Sequence, residues 1–365
     1  MIERLYIDNY RTFVNCEIRL GAIALLLGPN STGKSSVFDV VHTIRRFVGG
    51  TALTSELFSG ADLTRWQKLD EQAFALDVRT PSGLYRYELR LGHSRERRES
   101  RVLTESLELD GKPLFTFRDG EIQLYNDRHD PGPQLSFDWH RSGLSTIRAR
   151  NDNTKLTEFK QRLASVQFLR SCPPIMDTVS GEESEELAID GGNFPSWFRY
   201  ILRQDISSQL KLFEELRQVI DGFESLQLDG PADSTTTLRV LIKPKGSEPL
   251  SFKFGELSDG QRQLIVLHTI LFGVSDKNRV LFLDEPDNYV ALREVEPWLV
   301  ALIDAPSRSI AQAVVISHHP EVIDHLAREK GIWFKRDSAG PTRIEMDNAS
   351  KTSGLKQSEL EARGW

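Results

Sequence analysis

The sequence lacks closely spaced cysteines, long apolar runs and an excess of positive charge. Cys16 and Cys172 are the only cysteines among 365 residues, which excludes a disulfide framework and a cysteine-based metal site. No apolar run approaches the roughly 20 residues that span a bilayer, and the N-terminus alternates like a strand instead of a signal peptide. The net charge of −7 disfavours a chain built mainly to grip long nucleic acids. We therefore expect a globular cytoplasmic protein with no membrane partner.

A glycine-rich run provides the strongest positive signal. Residues 28–35 read Gly-Pro-Asn-Ser-Thr-Gly-Lys-Ser and fit the P-loop pattern GxxxxGK[ST] at every fixed position. The apolar run at 22–27 predicts a buried strand before it, and the spacing of apolar residues over 34–47 predicts a helix after it. In that context the backbone N–H groups bind phosphate, Lys34 contacts the β- and γ-phosphates, and Ser35 binds Mg²⁺.

Two adjacent carboxylates follow a second apolar run. Val280 to Leu283 predicts a strand, and Asp284 and Glu285 come directly after it, at the strand end where ligands bind in parallel α/β sheets. Asp284 is suited to hold Mg²⁺ and Glu285 to orient an attacking water. The alternative is an ordinary turn that opens the next helix. The paired acids favour the hydrolase interpretation, because buried carboxylates are costly without a cation or donors.

The segment 257–261, Leu-Ser-Asp-Gly-Gln, precedes a predicted helix and is called the signature segment below. Ser258 suits the N-cap, and Gly260 would let a phosphate approach the helix start closely. A histidine, His318, follows another predicted strand at 311–316. Taken alone, each feature has a structural explanation, as a helix cap and a core histidine.

Taken together and in this order, the four motifs resemble those of ABC-type ATPases. The long interval from Ser35 to Ser258 and the opening Asp8-Asn9-Tyr10-Arg11-Thr12-Phe13 resemble the soluble branch, which includes RecF, structural-maintenance-of-chromosomes (SMC) and OLD-family proteins, and the bacterial AAA_15 and AAA_21 proteins. The resemblance implies ATP and Mg²⁺ as ligands, catalysis by Lys34, Glu285 and His318, and metal binding by Ser35 and Asp284. The nucleotide-binding residues it implies are Arg11, Gly28, Asn30, Ser31, Thr32, Gly33, Lys34, Ser35, Ser36, Ser258, Gly260 and Gln261.

Some positions depart from the family pattern. Position 259 is Asp where the signature usually has Gly, so an acid would face a partner's γ-phosphate unless it points away. Val290 and Ala291 stand where the family has the D-loop aspartate. The Q-loop glutamine stays open between Gln72 and Gln167.

The predicted fold class is α/β: a P-loop NTPase with an ABC-ATPase head, a β-rich lobe and a small helical insertion lobe. Short alternating runs separated by turn signals predict strands over 72–125, whereas 151–222 is mostly helical in pattern. We expect residues 1–150 to form the N-terminal part of the head with the β-rich lobe. Residues 151–235 would form the helical lobe, and 236–365 the C-terminal part of the head.

The resemblance implies a head-to-tail homodimer that closes on ATP, with each P-loop facing the partner's signature segment. The short chain after His318 has no room for an added nuclease domain, so we expect a stand-alone ATPase that gates a separately encoded effector, such as a nuclease in defence against phage. Two alternatives stay open. One is a RecF-like DNA repair or loading factor with DNA as partner, and the other is a non-catalytic scaffold gated by ATP.

Overall fold

The structure is a computed structural model that describes residues 1–94, 99–231 and 235–345. The chain forms two compact units: unit 1 comprises Met1–Val166 with the chain from Ala327 onward, and unit 2 comprises Gln167–Leu326. Elements are numbered in chain order. The three-part domain division given above stays a prediction.

Unit 1 contains a large antiparallel sheet with the strand order β2-β1-β4-β5-β6-β7-β8-β9. Its strands are β1 Ile2–Asp8, β2 Cys16–Arg19, β4 Glu71–Thr80, β5 Gly83–Ser94, β6 Glu99–Leu109, β7 Lys112–Arg118, β8 Glu121–Tyr125 and β9 Pro131–Ser136. The fully buried rings of Tyr85 and Tyr87 pack against Phe159. These strands confirm the predicted β-rich region. The alternating pattern predicts them because every second side chain of a strand lies on its buried face.

Three further strands of unit 1 hold the P-loop. They are β3 Ile23–Leu27, β17 Gly331–Arg336 and β18 Thr342–Glu345, with β17 parallel to β3 and antiparallel to β18. Every residue of β3 is buried, as its continuous apolar run predicts. The helices of this unit are α1 Lys34–Gly49, α2 Thr54–Leu57, α3 Gly143–Thr146 and α4 Thr154–Ala164.

Unit 2 contains a parallel pair, β15 Val280–Asp284 and β16 Gln312–Ile316, in which Asp284 is in register with Ile316. Next to β15 lies β10, Val166–Leu169, whose Phe168 ring packs 5.2 Å from that of Phe282. The helical pattern over 151–222 is wrong at β10. Four residues are too few to distinguish a strand from a helix by periodicity, and burial against β15 decides the conformation.

The rest of unit 2 is a small antiparallel sheet and a set of helices. The sheet contains β11 Val179–Ser180, β12 Phe223–Asp229, β13 Thr236–Ile242 and β14 Leu250–Lys253. The helices are α5 Phe194–Leu202, α6 Ile206–Val219, α7 Asp259–Phe272 and α8 Leu292–Asp304. Helix α9, Pro320–Lys330, begins in unit 2 and ends in unit 1. Within the described residues, no helix is long and apolar enough to cross a membrane.

Candidate functional site

The P-loop is shaped by two glycines with positive φ angles in unit 1. Gly28 has φ +133°, and a Cβ there would lie 2.2 Å from the carbonyl oxygen of Phe334 in β17. Gly33 has φ +96°, and its Cβ would lie 2.6 Å from Thr12 Oγ1. Only glycine fits both positions, because a side chain would meet neighbouring atoms that pack directly on the loop.

Lys34 opens helix α1 and folds back over the loop. Its Nζ donates to the carbonyl oxygens of Gly28 at 2.5 Å and Pro29 at 3.1 Å, although the side chain is almost fully buried. The ammonium therefore lies inside the curve of the loop. Ser35, half-buried, is the next residue of the helix, as the motif predicts.

Strands β17 and β18 brace the loop from outside. Arg336 donates to the carbonyl oxygen of Ser31 at 2.9 Å, and Thr342 Oγ1 donates to that of Thr32 at 2.7 Å. Ser31 adopts φ +65°, an uncommon conformation for a serine. The sequence motif does not point to Arg336 or Thr342, because both lie about 300 residues away along the chain.

Arg11, predicted to lie near the nucleotide, is close to the start of α1. Its guanidinium forms ion pairs with Asp39 and with Asp62, the latter at 3.0 Å, and donates to Ser36 Oγ at 3.3 Å. It also stacks on the Tyr10 ring. The two carboxylates fix the arginine beside Ser36, one of the predicted nucleotide-binding residues.

The acidic pair lies at the end of β15 in unit 2. Asp284 is only 6% exposed, and its Oδ2 accepts a hydrogen bond from Arg170 Nε at 2.7 Å and forms an ion-pair contact with Nη2 at 2.5 Å. A buried carboxylate needs such compensation. Sequence reasoning missed Arg170, since nothing in the sequence links residue 170 to residue 284.

Glu285 has an uncommon backbone conformation. Its φ is +50°, and its N–H donates to the carbonyl oxygen of Ile316 at 2.8 Å, which ties the turn to the end of β16. Its Oε2 accepts a hydrogen bond from Asn288 at 2.8 Å, and the side chain is half-buried. Backbone strain of this kind concentrates at functional sites, where surrounding contacts hold the residue in place.

Two buried acceptors in this region have no hydrogen-bond partner: Asp287 Oδ1 and Gln263 Oε1. Asp287 lies in the turn after β15, and Gln263 of α7 donates through Nε2 to the carbonyl oxygen of Pro286 in the same turn. Burial raises the pKa of Asp287, and a hydrogen bond from Ser317 opposes that rise. Unsatisfied buried acceptors suit donors from a ligand or from water on a metal ion.

The acceptors of this turn fit a magnesium ion. Mg²⁺ usually binds one or two protein carboxylates and completes its shell with phosphates and waters. Asp284 and the unsatisfied acceptors beside it match that pattern. Within residues 1–94, 99–231 and 235–345, no group of three or more His, Cys, Asp or Glu side chains could hold a metal alone.

The signature segment begins helix α7 as predicted. The Ser258 hydroxyl accepts from the Gln261 N–H at 3.2 Å, and Gln261 Oε1 accepts from the Ser258 N–H at the same distance, which is a capping box. Gly260 packs on the turn after β15: a Cβ there would lie 2.7 Å from the carbonyl oxygen of Tyr289. The glycine thus has a packing role within the subunit, in addition to the phosphate approach that the sequence suggests.

Asp259, the departure from the usual signature, is neutralised within its own helix. Arg262, one turn later, forms an ion pair with it and donates through Nη1 to the carbonyl oxygen of Pro173 at 2.6 Å. The Arg262 side chain is largely buried. The pair reduces the negative charge that position 259 would present to an anion.

The remaining predicted residues have distinct surroundings. His318 is exposed directly beyond β16, and Asn30 is exposed in the P-loop. Gln72 is buried and committed to a network with the Asn9 carbonyl oxygen and the His93 ring, at 3.0 and 2.9 Å. Gln167 accepts from Arg279 at 3.5 Å. The question of the Q-loop glutamine stays open.

Comparisons with known proteins identify the family. The model described as "AAA domain, putative AbiEii toxin, Type IV TA system", named AAA_21, matches residues 23–324, and the chain belongs to this family. None of the curated proteins matches the chain in sequence.

Solved SMC head domains have the same fold. An SMC head bound to the C-terminal winged-helix domain of ScpA aligns with a TM-score of 0.57 at 13% identity, covering 96% of this chain and 99% of that one. A Pyrococcus furiosus SMC head with an extended coiled coil, bound to the C-terminal domain of ScpA, gives 0.52 at 12%, covering 94% and 95%. The Thermotoga maritima SMC head gives 0.50 at 14%, covering 94% and 98%. The predicted α/β fold class, a P-loop NTPase with an ABC-ATPase head, is confirmed.

Proposed function

We propose that this chain is a Mg²⁺-dependent ATPase that dimerises on ATP and gates a partner protein. The proposal is supported by two groups of residues, each within one unit, which are called the half-sites below. Unit 1 holds Lys34 inside a glycine-shaped loop, and unit 2 presents Asp284 and Glu285 at a strand end.

In unit 1, the loop would bind the phosphates. The backbone N–H groups at the start of α1 and the positive end of the helix dipole attract an anion. Lys34 would exchange its contacts with the Gly28 and Pro29 carbonyl oxygens for phosphate oxygens. Ser35 would contribute its hydroxyl to the metal shell, and Arg11 would support the loop through Ser36.

In unit 2, the acidic pair would carry the chemistry. Asp284 would hold Mg²⁺, which when bound neutralises charge on the phosphate oxygens. Glu285, oriented by Asn288, would accept a proton from the attacking water. His318, exposed beyond β16, would contact the γ-phosphate.

The signature segment supports dimerisation as part of the proposal. Ser258 is exposed at the N-terminus of α7, where the helix dipole favours an anion. The Asp259–Arg262 pair leaves that end of the helix less negative than the sequence implies. We propose that the N-terminus of α7 contacts the γ-phosphate of an ATP molecule bound by a second subunit. ATP would then join the two subunits, and hydrolysis would release them.

A separately encoded effector is the proposed partner. The family description names a toxin of a toxin–antitoxin system, which is a two-component arrangement. Two of the SMC heads above are bound to ScpA, so this fold can present a surface to another protein. Defence against phage is the role we propose for the pair, by analogy with related stand-alone ATPases.

The test combines hydrolysis with solution mass. Glu285→Gln is expected to form a stable dimer with ATP and Mg²⁺ and to lose turnover, while Glu248→Gln, an exposed residue of unit 2, should behave like the wild type. A monomeric Glu285→Gln protein that hydrolyses ATP normally would disprove the mechanism.

Adding duplex or single-stranded DNA to the same assay separates the effector role from a RecF-like one. Turnover that does not respond to DNA supports the effector role. DNA-stimulated turnover with a steep dependence on salt would favour the RecF-like alternative.

A further inference from the structure

We propose that Arg170 is a latch on the Asp284 carboxylate that a divalent cation displaces, and that its release is transmitted to the signature helix α7. The inference rests on the proposed function, because it assigns Mg²⁺ to Asp284. It adds a positioning residue that no sequence motif contains.

The first step is the geometry of the ion pair. Both guanidinium contacts, from Nε at 2.7 Å and from Nη2 at 2.5 Å, are made to Oδ2 of Asp284. Arg170 forms an ion pair with this carboxylate. The guanidinium thus supplies the positive charge that the proposed function assigns to the metal.

The second step is the difference in exposure of the two partners. The Asp284 side chain is 6% exposed, whereas that of Arg170 is 55% exposed. The carboxylate has little room to move, but the arginine can leave for water at small cost, because more than half of its side chain is already exposed. A divalent ion on Asp284 repels the guanidinium, so the two cations compete for one carboxylate.

The third step is the segment that carries the latch, residues 170–175. Two backbone hydrogen bonds anchor it: Arg170 N–H donates to the carbonyl oxygen of Ile189 at 2.7 Å, and Cys172 N–H donates to the carbonyl oxygen of Asp190 at 2.9 Å. Farther along, the Pro173 carbonyl oxygen accepts from Arg262 of helix α7 at 2.6 Å. The segment therefore contacts Asp284 through its own Arg170 and contacts Arg262 of α7 through Pro173, so it links Asp284 to the first turn of α7.

The fourth step is the incomplete hydrogen bonding of this link. Ser171 Oγ and Arg262 Nε are buried and have no hydrogen-bond partner. Buried polar atoms are satisfied in the great majority of native structures, so Ser171 Oγ in the segment and Arg262 Nε in α7 would both be stabilised by a second arrangement that gives them partners. Release of Arg170 would permit that arrangement.

The latch is tested by Mn²⁺ binding, with Mn²⁺ in place of Mg²⁺ and a non-hydrolysable ATP analogue, followed by electron paramagnetic resonance. Arg170→Ala is expected to tighten Mn²⁺ binding about tenfold, because the competing cation is gone. Arg170→Lys should stay near the wild type. Arg203→Ala, which removes an exposed arginine paired with Glu183 in the same unit, is the matched control and should change nothing.

Unchanged or weaker Mn²⁺ binding by Arg170→Ala would overturn the latch while leaving the proposed function intact. If the wild type binds neither the analogue nor Mn²⁺, the proposed function itself fails. These two failures are distinguishable because metal affinity is measured without turnover.

The link to α7 is tested by hydrogen exchange with and without Mn²⁺. In the wild type, peptides covering both 170–175 and the first turn of α7 should change protection on metal binding. In Arg262→Lys, which keeps a positive charge near Asp259 but loses the planar fork that reaches Pro173, only the 170–175 peptides should respond. An unaltered α7 response in this variant would refute the link.

Discussion

The two half-sites are built in opposite ways. In unit 1 the P-loop is shaped by backbone: two glycines with positive φ, carbonyl oxygens that hold Lys34, and outer strands that brace the loop. In unit 2 the acidic pair depends on side chains, with Arg170 on Asp284 and Asn288 on Glu285. A half-site made of backbone is fixed by packing, whereas one made of charged side chains can change partners when a ligand arrives.

The largest expected effects are a loss of ATP affinity on substitution of Lys34 and a loss of turnover on substitution of Glu285. Lys34→Ala should weaken ATP binding by about a hundredfold or more, because it removes the charge inside the loop. Glu285→Gln should leave the Kd for ATP nearly unchanged but lower turnover by about a hundredfold or more. Isothermal titration measures the Kd for ATP, and phosphate release measures turnover. Equal losses of affinity in the two variants would show that ATP binding and hydrolysis are not separated between the two half-sites.

Unit 1 is expected to lose stability as pH rises towards neutrality. Burial raises the pKa of Glu105 to about 7, while hydrogen bonds from Ser142, Tyr87 and the Gly143 N–H oppose that rise. Because the folded state binds this proton more tightly than the unfolded state, stability falls between about pH 4.5 and pH 7, by up to about 3 kcal/mol. Glu105→Gln should flatten this dependence in urea titrations, and Glu108→Gln on the same strand should not.

Unit 2 is expected to show the opposite trend in acid. Burial in α7 lowers the pKa of His268 to about 4, against a hydrogen bond to the Leu264 carbonyl oxygen. The unfolded state then binds the proton more tightly, so stability is lost as pH falls from about 6.5 towards 4, by up to about 3 kcal/mol. Peptide-resolved hydrogen exchange across this range should show α7 losing protection on acidification, and constant protection would contradict the assignment.

The backbone character of the P-loop can be isolated with alanine at Gly33. The positive φ costs an alanine about 1–2 kcal/mol, and the contact with Thr12 Oγ1 adds to that. Gly111→Ala is the matched control, because its φ of +76° is also positive while no atom beyond its chain neighbours lies within 4 Å of its Cβ. Thermal unfolding should show the larger loss at Gly33, together with weaker ATP binding at that position alone.

The smallest expected effect is that of the α7 cap. Ser258→Ala removes the hydroxyl that accepts from the Gln261 N–H and should cost about 1 kcal/mol, seen as faster exchange in the first turn of α7. Ser247→Ala, in an exposed turn of the same unit, is the control. If Ser258→Ala also prevents the ATP-dependent dimer while the helix stays protected, the hydroxyl has a second role at the dimer interface.

The same contrast explains how much the sequence could predict. The P-loop, its strand and its helix follow from short-range rules, because glycine conformation, apolar runs and helix starts are local properties. The Ser258 cap was predictable for the same reason. Arg170, Arg336 and Thr342 were not, since each acts on a distant residue through tertiary packing.

Two local predictions also needed the fold for their meaning. Asp259 reads as a repulsive acid, and the Arg262 partner that neutralises it became clear only from the side-chain geometry. In the sequence, Gly260 suggests a contact with phosphate. In the structure, the Tyr289 carbonyl oxygen lies where a Cβ would be too close, and this packing already requires a glycine. The β10 strand was missed because its four residues carry no period of their own.

The braces on the P-loop also bear on the order in which the chain folds as it is synthesised. Unit 2 is one continuous stretch, so all of it has been made once Leu326 has been added. The P-loop, made near the start, waits for β17 and β18 to supply Phe334, Arg336 and Thr342. At roughly 5–20 residues per second, a ribosome exposes the unbraced loop for many seconds before it can take its final shape. The final shape of the P-loop is thereby postponed until β18 has been translated.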